Sequence, residues 1–199
     1  MGKNKEMLKC FYKVMINDEG ETNKILPDMY EESFYTIDEE FLLTNNINNL
    51  ILDIDGTLLE VDSLEVSEKL INRIKTLKNK NINMCLVSNN NIDRVKPVAK
   101  KLNINYLADA HKPLKEAFDK ALEILNTKDK TKVAMVGDQM MSDIKGAKEY
   151  GIYTILVKPV SKHNNIQTGT SRFMQNIMEN HLQKQKKFDK NKYYKKGRR

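Results

Sequence analysis

Asp53 and Asp55 stand two residues apart, followed at once by Gly56 and Thr57, at the end of the apolar run that begins at Leu50. Two carboxylates at that spacing on a leaving strand face one crevice. Thr57 adds a hydroxyl, and Gly56 lets the backbone approach an anion closely. Further along come Ser88, Asn89, Asn90 and Asn91, then Lys112 before Pro113, then Asp138 and Asp143 after Gly137. An acid pair, a hydroxyl, a cation and a second acid pair are what phosphoryl transfer requires. A carboxylate can attack phosphorus and divide one difficult displacement into two easier ones. Its repulsion from the phosphate is offset by Mg²⁺ held on carboxylates, and a lysine with short donors stabilises the remaining charge. Singly, each signal has a plain structural reading. D-x-D also occurs in metal-dependent glycosyltransferases, Ser88 can cap a strand end, Lys112 can be a surface lysine, and Asp138 and Asp143 can be turn and helix-start residues. Their order along the chain makes the set specific.

The elements that must position these residues follow from hydrophobic periodicity. Strands are expected over Leu50–Ile54, Ile82–Val87, Ile104–Ala108, Val133–Val136 and Ile152–Val157. Between them lie helical patterns over Ser67–Lys80, Asp93–Leu102, Pro113–Leu125 and Ser142–Tyr150, with a last helix over Arg172–Lys187. Ser67 is placed to cap, Pro113 to occupy a first helical position, and Gly151 to close the helix before it. Pro27–Leu43 reads as a lead-in with short helical pieces. Apolar strands alternating with amphipathic helices predict an α/β protein: a doubly wound parallel sheet of about five strands in three α/β/α layers. Ligands of such sheets bind outside the carboxyl ends of the strands, where the residues above stand. The expected division is an N-terminal extension over 1–45, a catalytic domain over 46–183 and a basic tail over 184–199.

The runs D-I-D-G-T-L, V-S-N, K-P and G-D-Q-M-M-S-D resemble, in order, the four motifs of haloacid dehalogenase (HAD) superfamily phosphatases. The resemblance implies that Asp53 is the nucleophile, and that Asp55 protonates the leaving oxygen and then activates water. It implies phosphate contacts from Gly56, Thr57, Ser88, Asn89 and Lys112, and Mg²⁺ held by Asp53, Asp138 and the Asp55 carbonyl oxygen. Asp143 then acts from behind, orienting a metal-bound water or Lys112. An acid at position 55 allows hydrolysis of the intermediate and argues against dehalogenation. The gaps from Asp55 to Ser88 and from Ser88 to Lys112 hold one helix each, which leaves no room for a cap domain and points to the cap-less subclass III. The runs S-N-N-N-I-D-R-V, A-H-K-P, G-I-Y-T-I-L-V-K-P-V-S and S-R-F, with L-P-D-M-Y before them, resemble the YqeG-like HAD-IIIA family, which is related to mitochondrial phosphatidylglycerophosphate phosphatases. Gly56 departs from the Asn usual there. The resemblance implies dephosphorylation of phosphatidylglycerophosphate. A soluble metabolite, nucleotide or phosphoprotein stands as an alternative substrate, and an RNA- or ribosome-associated binding role as an alternative function.

Arg94 and Arg172 are candidates to read a second anionic group of the substrate, or are helix-surface arginines. His111 is a candidate to titrate beside Lys112 or to pack at a strand end, and Met140 and Met141 read as core and rim. Of 34 basic residues, nine fall between Lys184 and Arg199 with one acid, which leaves the rest of the chain close to neutral. The net charge of +7 therefore belongs to the tail, a polycation suited to an anionic membrane surface and, less so, to nucleic acid. Cys10 and Cys85 read as reduced structural thiols. No apolar stretch approaches the ~20 residues of a transmembrane helix, and no secretory signal pattern is read at the N-terminus. A cytoplasmic protein, with peripheral contact to the inner membrane face, is expected.

Overall fold

A computed structural model describes residues 2–61, 63–160 and 166–189. Six parallel strands form one sheet: β1 (Met29–Glu31), β2 (Asn49–Leu52), β3 (Asn83–Val87), β4 (Asn105–Leu107), β5 (Val133–Gly137) and β6 (Tyr153–Val157), in the order β1-β6-β5-β2-β3-β4. The chain winds outward from β2 in both directions. β2 is therefore the point where strand order reverses, and Asp53 follows it directly. β2 is buried at every position, as a strand covered on both faces must be.

The sixth strand is the difference from expectation. Met29–Glu31 pairs with Ile155–Val157 at the sheet edge, so part of the lead-in joins the sheet. Asp28 fixes the register, its Oδ2 accepting from the Thr154 backbone N–H at 2.9 Å and hydroxyl at 2.7 Å. Three residues are too few to show a period.

Helices α1 (Gly2–Met15), α2 (Glu19–Ile25) and α3 (Glu39–Thr44) precede β2, and α4 (Glu68–Asn79), α5 (Ile92–Leu102), α6 (Lys115–Ile124), α7 (Gly146–Tyr150) and α8 (Ile166–Lys184) follow. The Ser67 hydroxyl caps α4 by accepting from Leu70 N–H at 3.2 Å, and Asn91 caps α5 through Arg94 N–H at 3.1 Å. Leu70, Ile74 and Leu77 of α4 and Val95, Val98 and Leu102 of α5 pack on one sheet face. Ala117, Phe118 and Ala121 of α6 and Ala147 of α7 cover the other. A third cluster joins Cys10 and Val14 of α1, Ile25 of α2, Met140, Ile144 and Leu156 to Met178 and Leu182 of α8. Neither thiol is in a disulfide, and burial pushes both up, Cys10 to about 11 and Cys85 to about 12.

Three local expectations are corrected. Pro113 does not open a helix: the Lys112–Pro113 bond is cis, and α6 starts at Lys115 behind Leu114. The segment after β5 begins as a π-turn over Met140–Lys145, with α7 confined to Gly146–Tyr150. The last helix starts earlier and ends earlier than its apolar spacing suggests, and the basic segment beyond it is packed as far as Phe188, whose ring lies 5.1 Å from that of Tyr30. The rest of the basic tail, from Lys190, and His163 lie outside the described residues.

Glu31 ends β1 with only 2% of its surface exposed, and its Oε1 has no hydrogen-bond partner. Burial pushes its carboxyl up to about 7, against the Thr36 hydroxyl bond and with help from Asp38. Below about pH 4.5 the group is neutral both folded and unfolded, so it makes no difference to stability. As pH rises the unfolded chain ionises first, and stability falls until the folded group titrates near 7. The accumulated loss is about 3 kcal/mol. Glu31→Gln is therefore expected to melt well above wild type at pH 8 and level with it at pH 4. An equal offset at both pH values in thermal melts would contradict this account.

Candidate active site

The loop after β2 turns sharply at Gly56, where φ is +86°. A Cβ there would come within 2.3 Å of Asp138 Oδ2 and 2.5 Å of the Arg172 guanidinium. Glycine at 56 thus lets two charged side chains close over the turn, and the Asn expected of the YqeG-like family would not fit this arrangement.

Lys112 is the centre of the site. It is 1% exposed, and its Nζ lies 2.7 Å from Asp53 Oδ1 and 2.8 Å from Asp143 Oδ1. Burial alone would discharge the lysine, but the Asp143 and Asp53 carboxylates outweigh it and hold the ammonium charged. The loop after β4 delivers Lys112 through Asn89. The Asn89 amide donates to the Lys112 carbonyl oxygen at 3.0 Å, and its oxygen accepts from the Lys112 N–H at 2.6 Å. The Asn89 side chain therefore braces the lysine's own peptide, and its second amide N–H and its backbone N–H remain for a phosphate.

Asp138 follows β5 and is fully buried, and Thr57 is 1% exposed. The Thr57 hydroxyl lies 3.2 Å from Asp53 Oδ2 and 3.3 Å from Asp138 Oδ1. It has one proton to donate and holds these two carboxylates beside one another. Its side chain thus stands between two acids. The π-turn places Asp143, whose Oδ2 accepts from Gln139 N–H at 3.0 Å. Ser88 is buried after β3, and its oxygen accepts from Asn90 N–H at 3.1 Å, which leaves its proton for an acceptor in the crevice.

Asp55 points to the other wall. Arg94 reaches its Oδ1 from Nε at 3.2 Å and from NH2 at 2.5 Å, and Asn90 donates to Oδ2 at 2.6 Å. Arg172 in turn contacts Asp138 Oδ2. Each arginine proposed as a substrate reader is thus tied to one of the site's acids, and each keeps a buried NH1 without a hydrogen-bond partner. His111 is exposed in the left-handed region, and Met140 is core. Asn90, read from the sequence as a donor, donates to Asp55. Sequence reasoning missed Gln175, one helical turn from Arg172, which donates to the Asp138 carbonyl oxygen at 2.9 Å and accepts from Met140 N–H at 3.0 Å.

Asp53, Asp138 and Asp143 each offer an oxygen, all within 4.8 Å of one another. Burial, against Lys112 and with repulsion from Asp143 and Asp55, pushes Asp53 up to about 6. Burial, against Arg172 and with repulsion from Asp53 and Asp143, pushes Asp138 up to about 7. Crowded, buried, all-oxygen donors of this kind fit a hard divalent cation, which relieves their repulsion. Asp55 contributes no side-chain oxygen to this cluster. Asp143 does, although both of its oxygens are already engaged by Lys112 and Gln139.

A haloacid dehalogenase-like hydrolase family model matches residues 26–151. A protein of Bacillus subtilis (strain 168) described as "Probable phosphatase YqeG" is 34% identical over 147 residues, spanning 74% of this chain and 85% of that one. The chain belongs to the haloacid dehalogenase-like hydrolases. Within them it is of the YqeG-like kind. Among solved structures it is similar to an uncharacterized protein from Listeria monocytogenes serotype 4b, with TM-score 0.49, 21% identity and coverage of 60% of this chain and 85% of that one. It is similar also to a haloacid dehalogenase-like hydrolase from Brucella suis 1330, with TM-score 0.46, 10% identity and coverage of 67% and 95%. The family match starts at Leu26 and so takes in β1, in keeping with a sheet that draws on the lead-in.

Proposed function

We propose that this hydrolase is a Mg²⁺-dependent phosphomonoesterase that works through an aspartyl phosphate on Asp53, with a phosphate monoester at a membrane surface, phosphatidylglycerophosphate, as its substrate. The observation that carries the chemistry is the ammonium of Lys112 bound between Asp53 and Asp143 with Asp138 alongside. Asp53, Asp138 and the Asp55 carbonyl oxygen would hold the cation, which supplies charge neutralisation for nucleophile and phosphate. Lys112 fixes the Asp53 carboxylate so that one oxygen faces the crevice. That oxygen attacks phosphorus, and the P–O bond to the leaving group breaks. Asp55 gives its proton to the leaving oxygen, and then takes one from the water that attacks the aspartyl phosphate, restoring Asp53 and releasing phosphate. For this, Asp55 must leave Arg94 and Asn90 and turn inward.

Support for a large substrate comes from the connections. β2 and β3 are joined by a loop and α4, and β3 and β4 by α5, so among the described residues neither connection holds a cap domain. Support for a second anionic group comes from Arg94 and Arg172, each with one buried nitrogen unsatisfied. A phosphodiester beside the scissile monoester would satisfy both. Among the described residues no helix is long and apolar enough to cross a membrane, so contact with lipid would be peripheral. In vesicles containing phosphatidylglycerophosphate and Mg²⁺, the protein is expected to release phosphate and leave phosphatidylglycerol in the organic extract. Rapid hydrolysis of soluble monoesters, with the vesicles untouched, would replace the lipid with a soluble substrate.

A further inference from the structure

Asp138 has two carboxylate oxygens, and each already has a partner. Oδ1 faces the Thr57 hydroxyl at 3.3 Å, and Oδ2 carries the Arg172 guanidinium. The guanidinium does not approach from the margin. It lies over the turn at Gly56, close enough that a Cβ on that residue would come within 2.5 Å of its NH2. It therefore lies between the turn at Gly56 and Asp138, on one of the two oxygens with which Asp138 could hold a cation shared with Asp53.

Arg172 is also built into this place. It leaves α8 one turn before Gln175, whose amide donates to the Asp138 carbonyl oxygen at 2.9 Å and accepts from Met140 N–H at 3.0 Å. That amide locks the register of α8 against the end of β5, so the arginine reaches Asp138 by construction. The Arg172 side chain is 15% exposed while Asp138 is fully covered, so the pair is screened little by solvent. Two cations on one buried carboxylate oxygen repel each other, and the guanidinium is the one on a flexible stem.

We propose that Arg172 and the divalent cation are alternative partners of Asp138. The guanidinium neutralises the carboxylate when no cation is bound and is displaced from Oδ2 when one binds. Displacement frees donors at the crevice mouth only after the cation is in place, so anion binding follows metal binding. NH2, which leaves Asp138 Oδ2, is one of those donors. This rests on the reading of Asp138 as a metal ligand, and the test separates the two.

Mn²⁺ affinity is measured by electron paramagnetic resonance on the full chain, for wild type, Arg172→Gln, Arg172→Lys and Asp138→Asn. Arg172→Gln is expected to bind Mn²⁺ about tenfold or more tightly than wild type, since the competing charge-assisted bond is gone, with Arg172→Lys between them. Metal-free Arg172→Gln is expected to melt below wild type, and Mn²⁺ to raise its melting temperature by more. In the wild type, the Arg172 side-chain Nε–H resonance, assigned by its loss in Arg172→Lys, is expected to move on saturation with diamagnetic Mg²⁺. Unchanged or weaker Mn²⁺ binding in Arg172→Gln, or a resonance that stays fixed through the Mg²⁺ titration, would overturn the proposal. Equal Mn²⁺ binding by wild type and Asp138→Asn would instead remove Asp138 as a ligand, and the proposal with it.

Discussion

Lys112→Met is expected to lose at least about 10³-fold in turnover and to unfold at a clearly lower temperature. The two effects have one origin. Lys112 is buried between Asp53 and Asp143, and a methionine of similar length fills its volume without its charge. Two carboxylates then remain without their cation, and breaking a buried pair in this way costs about 3–5 kcal/mol. Asp53, already pushed up to about 6 by burial, can take a proton, so the low end of that range is expected, a fall in melting temperature of roughly 10 °C. A divalent cation should return part of the stability, because it neutralises the same carboxylates. It should not return turnover, because the phosphate still lacks the ammonium and the nucleophile is no longer held. Thermal melts with and without Mg²⁺, alongside turnover of an aryl phosphate, check both halves. A variant that melts with wild type would show that the lysine is not paired as described.

Asp53→Asn should separate activity from stability in the opposite sense. An amide cannot form the covalent intermediate, so turnover falls by at least about 10⁴-fold. Stability is expected to hold or rise. The substitution keeps the shape, leaves Lys112 paired with Asp143, and removes one of three carboxylates whose oxygens crowd within 4.8 Å. Burial and repulsion hold both Asp53 and Asp138 above the usual carboxylate range, which is a destabilising arrangement that the fold keeps for the sake of the site. An Asp53→Asn protein that retains wild-type turnover would contradict the mechanism whatever the substrate.

The residues that meet in the crevice were legible because strand and helix periods alternate cleanly from Leu50 onward. Asp53, Ser88 and Asp138 fall just past strand ends, and parallel strands bring such ends together. Lys112 was legible by its place after β4, but not its burial, which depends on Asp53 and Asp143 arriving from two other strands. What was hidden is long-range or short. β1 has three residues, and its partner β6 lies more than 120 positions away. The Asn89 amide has the right chemistry for a phosphate and uses one of its two donors on a peptide. Thr57 likewise serves two carboxylates. The partners of Arg94 and Arg172 were unreadable because an arginine on a helix carries no mark of the acid it will meet. Gln175 stands on the same helix face as Arg172, one turn on. That spacing was the available signal, and it becomes informative only once α8 is known to lie against β5. The π-turn at Met140–Lys145 keeps the apolar spacing of an α-helix closely enough that composition does not distinguish them.

The mechanism turns on covalent chemistry at Asp53. Its most direct test is a rapid acid quench of wild-type protein turning over an activated phosphate, acetyl phosphate or an aryl phosphate, with Mg²⁺. Borohydride reduction and peptide mass spectrometry follow. An aspartyl phosphate is reduced to homoserine, so the account predicts that conversion at position 53 alone, dependent on both substrate and divalent cation. Steady turnover with position 53 unmodified, or with the modification on Asp55, Asp138 or Asp143, would contradict it.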